Sequence, residues 1–112
     1  MAELLRCVDA WGRTVTLSDA QWHGHIIVAH PEVRALLGRL CEAIESPTTV
    51  THDTNHADRE NFYTAARGPL LLKVCVEYVY GKMTGAIVTA YLTNRVKPTE
   101  RVQWPTSIQG SN

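Results

Sequence analysis

The chain reads as an α+β domain: a short N-terminal hairpin and two helices packed on a C-terminal antiparallel sheet of about four strands. Three observations predict this. Apolar residues recur at helical spacing between Asp19 and Ile44, with one break at His30-Pro31. After Pro47 the period changes to two, and β-branched and aromatic residues dominate up to Thr93. The 112 residues, 45% of them hydrophobic, suffice for one core.

Residues 3–11 and 14–17 flank Gly12-Arg13, an arrangement that predicts a hairpin. Ser18 is placed as a helix N-cap, with Asp19 at the positive end of the dipole and Gln21 three residues on to complete a capping box. The first helix spans about Asp19 to Ala29, and Trp22, Ile26 and Ala29 form its apolar stripe. Gly24 within it costs about 1 kcal/mol relative to alanine. Pro31 disfavours helix at His30 and opens a second helix, Pro31 to Ile44, whose stripe is Val33, Leu36, Leu37, Leu40, Cys41 and Ile44. Strands are expected at Thr48–Thr54, 59–65, Leu70–Tyr80 and Ala86–Thr93, the last two joined through Gly81–Gly85. Residues 1–96 then form a single domain, and 97–112, with two prolines and a Ser/Gln/Gly/Asn ending, a loosely ordered tail.

Composition excludes several classes. No apolar run approaches the roughly 20 residues that cross a bilayer, and the N-terminus has no basic region followed by an apolar one. Cys7, Cys41 and Cys75 are too scattered for a disulfide scaffold or a zinc ribbon and suit free thiols in a reducing compartment, so a cytoplasmic location is expected. Net charge is zero, yet residues 1–56 carry −3 and residues 57–112 carry +3. A polyanion would therefore meet the sheet-rich half.

Alternation sorts the final hairpin into two faces. Leu72, Val74, Val76, Tyr78 and Tyr80 share one, with Ala86, Val88, Ala90 and Leu92 as a set on the returning strand. Lys73, Glu77, Thr89 and Tyr91 share the other, with Ile87 and Thr93 in the same set. In the preceding strand Phe62 is buried, and Arg59, Asn61 and Tyr63 lie opposite it. Such a face offers positive charge and donors for a phosphate, and it equally describes the solvated side of an ordinary antiparallel sheet.

Five histidines, His23, His25, His30, His52 and His56, add groups suited to proton transfer. His25 lies at the border of the first helical stripe and His30 at the helix end, while His23 points elsewhere. A packed structural histidine fits each position as well as a catalytic one. His23-x-His25 cannot put both rings on one helix face, and no Cys/His or HExxH spacing is present, so no metal and no cofactor is expected.

Trp11-Gly12-Arg13-Thr14-Val15-Thr16-Leu17, Trp22-His23-Gly24-His25-Ile26 and His30-Pro31-Glu32 open a series of short motifs. Arg59-Glu60-Asn61-Phe62-Tyr63, Lys73-Val74-Cys75-Val76 and Val88-Thr89-Ala90-Tyr91 complete it. In order and spacing the series resembles a phage-associated branch of the barnase–EndoU–colicin–RelE-like (BECR fold) nucleases, over roughly residues 8–95. The chain departs from that pattern in its extra His23 and Gly24 and in its neutral charge.

The resemblance implies a metal-independent endoribonuclease of toxin or effector type, cleaving RNA by 2′-hydroxyl attack on the phosphodiester. RNA is the implied substrate, and a cognate antitoxin or immunity protein the implied partner. It further implies His25 and His30 as the catalytic helix histidines, phosphate-facing Arg59 and Lys73, and hydrogen bonding from Thr89 and Tyr91. His25 is then expected to be the general base or acid, with Lys73 and Arg59 stabilising the pentavalent phosphate. Tyr63 and Asn61 join them on the substrate side, Tyr63 as a ring on which a base could stack. Glu77, which shares a face with Lys73, is a rival general base. The competing expectation is a non-catalytic RNA- or protein-binding module on the same fold.

Overall fold

The N-terminal hairpin forms where alternating apolar residues meet a glycine with positive φ. In the computed structural model, which describes residues 2–79, 81 and 83–104, β1 (Glu3–Val8) and β2 (Thr14–Ser18) pair antiparallel around Gly12, whose φ is 86°. Cys7, Val15 and Leu17 turn into the core.

Ser18 caps the following helix as expected, its Oγ accepting from Gln21 N at 3.1 Å. The reciprocal half of the capping box is absent. Gln21 Nε2 instead donates to the backbone carbonyl of Val88 at 2.6 Å, tying the helix to a strand. The helical segment over residues 19–29, α1, widens into a π-helical turn at Trp22–Ile26. That turn buries Trp22 and Ile26 and leaves His23, Gly24 and His25 exposed. Pro31 starts a 3₁₀ turn, Pro31–Leu36, and α2 (Leu37–Glu45) follows, burying Leu40, Ala43 and Ile44.

The remaining strands are β3 (Thr49–His52), β4 (Arg59–Arg67), β5 (Leu70–Tyr78), β6 (Thr84–Thr93) and β7 (Arg101–Trp104). The expected four strands are β3 to β6, but the sheet has seven, in the order β1-β2-β6-β5-β4-β3-β7. Two additions account for the difference. The N-terminal hairpin joins the sheet through a parallel pairing of β2 with β6, which makes the sheet mixed. Residues 101–104, expected in a loose tail, form β7 on the free edge of β3. The alternation Arg-Val-Gln-Trp suits an edge strand, and the pairing satisfies backbone groups of β3 that would otherwise face water. Residues 105–112 lie outside the described residues, as does Tyr80.

The hydrophobic core lies between the helices and one sheet face, with Phe62, Leu72, Val74, Val76 and Ala90 packed against Trp22, Ile26, Val33, Leu40 and Ile44. Simple alternation fails at one point. Cys75 pairs with Thr89 but Val76 pairs with Ile87, so Val88 is an inserted bulge residue. The bulge turns Ile87 into the core and leaves Ala86 exposed, the reverse of the expected sets. Gly85 is required by packing: a Cβ there would lie 2.7 Å from Cδ1 of Tyr78, its register partner.

Candidate functional site

The face of the sheet away from the core is where the polar residues collect, and β4, β5 and β6 bring them into register. Tyr63 pairs with Lys73 and Lys73 with Tyr91; one rung on, Asn61 pairs with Cys75 and Cys75 with Thr89. Of the candidates, Tyr63, Lys73, Tyr91, Asn61 and Thr89 are therefore neighbours on one face. That face is not solvated at its centre. Thr51, Asn61, Tyr63, Lys73 and Cys75 are all buried, because the connector between β6 and β7 crosses them and inserts Glu100.

Glu100 organises the centre of the face. Its Oε1 accepts from the hydroxyls of Thr51 and Tyr63, both at 2.6 Å, and its Oε2 accepts from Lys73 Nζ at 2.5 Å. Asn61 Nδ2 donates to Thr51 Oγ1 at 3.2 Å, which orients the Thr51 hydroxyl toward Glu100. The Lys73 and Glu100 side chains are only 7% and 3% exposed, so this is a buried ion pair. Burial is the largest single influence and works against the charge of Lys73, but the hydrogen bond to Glu100 together with the Tyr91 and Tyr63 phenols outweighs it and holds the ammonium well above the ordinary lysine range. Burial likewise opposes ionisation of Glu100, yet its hydrogen bonds to Lys73, Thr51 and Tyr63 keep the carboxyl below its usual range. Burial and the bond to Glu100 push the Tyr63 phenol up to about 12. Lys73 is therefore a fixed cation and Tyr63 a fixed donor.

Beside this cluster opens a cavity of about 150 Å³ lined by Tyr63, Lys73, Tyr91, Thr93, Arg95, Lys97 and Pro98. Three of its residues are cationic, three carry hydroxyls, and none is a carboxylic acid. Lys73 Nζ lies 5.3 Å from the centroid of the Tyr91 ring and 5.6 Å from that of Tyr63. His30 stacks on Tyr91, with the ring centroids 4.9 Å and the planes 29° apart. α1 runs along β6 and ends there, and the break before Pro31 places His30 over the strand's edge. Its Nδ1 lies 3.7 Å from a Glu32 oxygen.

The other candidates lie elsewhere. Arg59 pairs with Glu77 across β4 and β5, with Nε 3.4 Å from Oε2. That rung is four residues from Lys73, roughly 13 Å along the strand at about 3.3 Å per residue. Neither Arg59 nor Glu77 lines the cavity. His25, expected as the general base or acid, is exposed on the π-helical turn, does not line the cavity, and its side chain makes no hydrogen bond among the described residues. Sequence reasoning misses Glu100, Thr51, Arg95 and Lys97, which lie on β3 or on the connector, whose seating over the sheet has no local signature. Thr93 follows Tyr91 by two residues, so alternation puts it on the right face, but nothing in the sequence marks it as a lining residue.

A second buried cluster, on the core face, holds the hairpin turn. Asp9 accepts from Trp11 N, Arg13 N, Arg13 Nε and the Tyr78 hydroxyl, and Arg13 reaches both Glu60 oxygens at 2.7 and 2.8 Å. The guanidinium lies 3.7 Å from the Tyr78 ring centroid. Its charged groups are committed to one another, which marks it as structural. No group of three or more His, Cys, Asp or Glu side chains is placed to hold a metal among the described residues, and no helix there is long and apolar enough to cross a membrane. No protein family, curated protein or solved structure matches the chain.

Proposed function

We propose that the chain is a metal-independent endoribonuclease of toxin or effector type, acting in the cytoplasm and restrained by a cognate antitoxin or immunity protein. The observation that carries this reading is the cavity of Lys73, Arg95, Lys97, Tyr63, Tyr91 and Thr93, with His30 stacked on the ring of Tyr91. Cleavage by 2′-hydroxyl attack needs a base for that proton, stabilisation of the charge developing on phosphorus, and return of the proton to the departing 5′-oxygen. His30 is the proton-transfer group. Lys73 supplies a preorganised cation in a site largely shielded from water, the kind of group that contributes most to such reactions. Arg95 and Lys97 hold the flanking phosphate charge, and Tyr91 orients both the imidazole and the substrate. The products are a 2′,3′-cyclic phosphate and a 5′-hydroxyl end.

The test is incubation of purified protein with structured and unstructured RNA in excess chelator, with end-group analysis. His30→Ala is expected to lower the rate by about 10²–10⁴-fold, while His25→Ala leaves it unchanged. Arg95→Ala with Lys97→Ala should flatten the salt dependence of single-stranded RNA binding by about 1.4 in log–log slope, at about 0.7 per cation removed. Intact RNA after prolonged incubation refutes the activity. One observation favours the non-catalytic RNA-binding module instead: among the described residues no histidine lines the cavity, His30 reaches it only through the Tyr91 ring, and Glu77 lies too far off to act as a partner. That reading predicts the same salt slope without cleavage.

A further inference from the structure

The Glu100 carboxylate is the meeting point of three donors from three different strands: Thr51 on β3, Tyr63 on β4 and Lys73 on β5. It projects from the connector that also carries Arg95 and Lys97, so one side chain ties that cationic arm to the sheet. A lysine ammonium is a point charge on a flexible stem and has no direction of its own. Here one N–H is committed to Glu100 on the buried side, and the Tyr63 and Tyr91 rings flank the ammonium. Lys73 also lines the cavity, together with both tyrosines. The same carboxylate places a negative charge in direct contact with the cation that would meet a phosphate.

We propose that Glu100 is a positioning residue of this site: it aims the Lys73 ammonium and the Tyr63 hydroxyl, and its charge weakens the cavity's hold on a resting phosphate. The kinetic half of this proposal rests on the ribonuclease reading; the electrostatic half stands on the geometry alone. Interactions that favour a bound substrate as much as its transition state do not raise the turnover rate. An aimed cation partly offset by a buried anion avoids tight ground-state binding while keeping a preorganised charge where the pentavalent phosphorus forms. Glu100 touches no substrate atom in this scheme and acts only through Lys73 and Tyr63.

The test compares the full chain with Glu100→Gln and Glu100→Asp, using inorganic phosphate as the binding probe and RNA as the kinetic one. Glu100→Gln keeps the shape and removes the charge, and is expected to bind phosphate about tenfold tighter. It should lower kcat by about 10–100-fold without raising KM, because the aim is lost and the binding is not. Glu100→Asp keeps the charge but withdraws it by one methylene. Phosphate affinity should then stay within about twofold of the parent while kcat falls about three- to tenfold. Weaker or unchanged phosphate binding in Glu100→Gln overturns the proposal, as does unchanged kcat in a parent that cleaves RNA. A parent that leaves RNA intact while Glu100→Gln binds phosphate more tightly refutes the ribonuclease reading and leaves the electrostatic half standing. Where Glu100→Gln does not fold, Glu100→Asp decides: kcat equal to the parent's overturns the positioning role.

Discussion

Replacing Lys73 with methionine keeps an unbranched chain one atom shorter and removes its charge, leaving the Glu100 carboxylate buried with two hydroxyl donors and no cation. At the 2.5 Å separation of Nζ and Oε2, an effective dielectric constant near 20 gives an attraction of roughly 7 kcal/mol. Desolvation of two buried ions costs several kcal/mol each, so the intact pair lies near balance. Removing one partner is different, because the cost of burying the other remains. Lys73→Met is therefore expected to destabilise the fold by about 3–5 kcal/mol. Adding Glu100→Leu removes the stranded charge but leaves the Tyr63 and Thr51 hydroxyls without an acceptor, at about 1–3 kcal/mol. The double variant should thus be more stable than Lys73→Met alone. Urea unfolding of the parent, both single variants and the double variant closes the cycle. Lowering the pH toward 5 should narrow the gap between Lys73→Met and the parent, since the stranded carboxyl escapes its penalty by taking a proton. A single-variant cost under about 1 kcal/mol, or costs that simply add, would refute the description of a tightly coupled buried pair.

Gly85→Ala should cost about 1–3 kcal/mol of stability by thermal or urea unfolding, because the added methyl meets the Tyr78 ring at 2.7 Å and Asp9 and Arg13 hold that ring in place. A loss below about 0.5 kcal/mol would show that the ring is free to move. At alkaline pH the sign follows from proton counting. Between about pH 10 and 12 folded Tyr63 keeps a proton that the unfolded chain loses, so stability falls as pH rises. Its share is roughly 2–3 kcal/mol, at about 1.36 kcal/mol for each pH unit that separates the folded and unfolded phenols, and Tyr63→Phe should flatten that limb of a stability–pH curve. Asp9 and Glu100 act in the opposite direction: both are held below the usual carboxylate range against the pull of burial. Their contribution is present above about pH 4 and is lost as pH falls through their folded values.

How much of this is legible in the sequence depends on the range over which each feature is decided. The Ser18 cap, the break at His30-Pro31 and the shared face of Asn61, Tyr63, Lys73, Thr89 and Tyr91 are set by residues close in sequence, and alternation or capping chemistry exposes them. Ile87 escapes because a single inserted residue at Val88 shifts the strand's phase, and valine in a strand carries no sign of a bulge. The parallel pairing of β2 with β6 escapes because the residues it joins are about 70 apart, and no local pattern specifies it. Glu100 is the hardest case. It follows Lys97-Pro98-Thr99, a stretch that reads as solvent-exposed, and its buried partners Thr51, Tyr63 and Lys73 come from three separate strands. His25 and His30 look equivalent in the sequence. The π-helical turn separates them by leaving His25 exposed, while the break between the helices carries His30 onto Tyr91.

The neutral net charge, which at first sight argues against binding a polyanion, loses its force once the charges are placed. Arg13 is committed to Asp9 and Glu60, Lys73 to Glu100, and Arg6, Arg39 and Arg59 to Glu3, Glu42 and Glu77. Charges held in such pairs nearly cancel at the range of a ligand, so the field that a phosphate meets is set by the cations left over. Among the described residues Arg95 and Lys97 form no salt bridge, and both line the cavity beside Lys73, where no acid does. A chain of zero net charge therefore presents a locally positive pocket. Glu100 does not close that pocket: its carboxylate is buried, bonded to Lys73, Tyr63 and Thr51, and is not among the residues that line it.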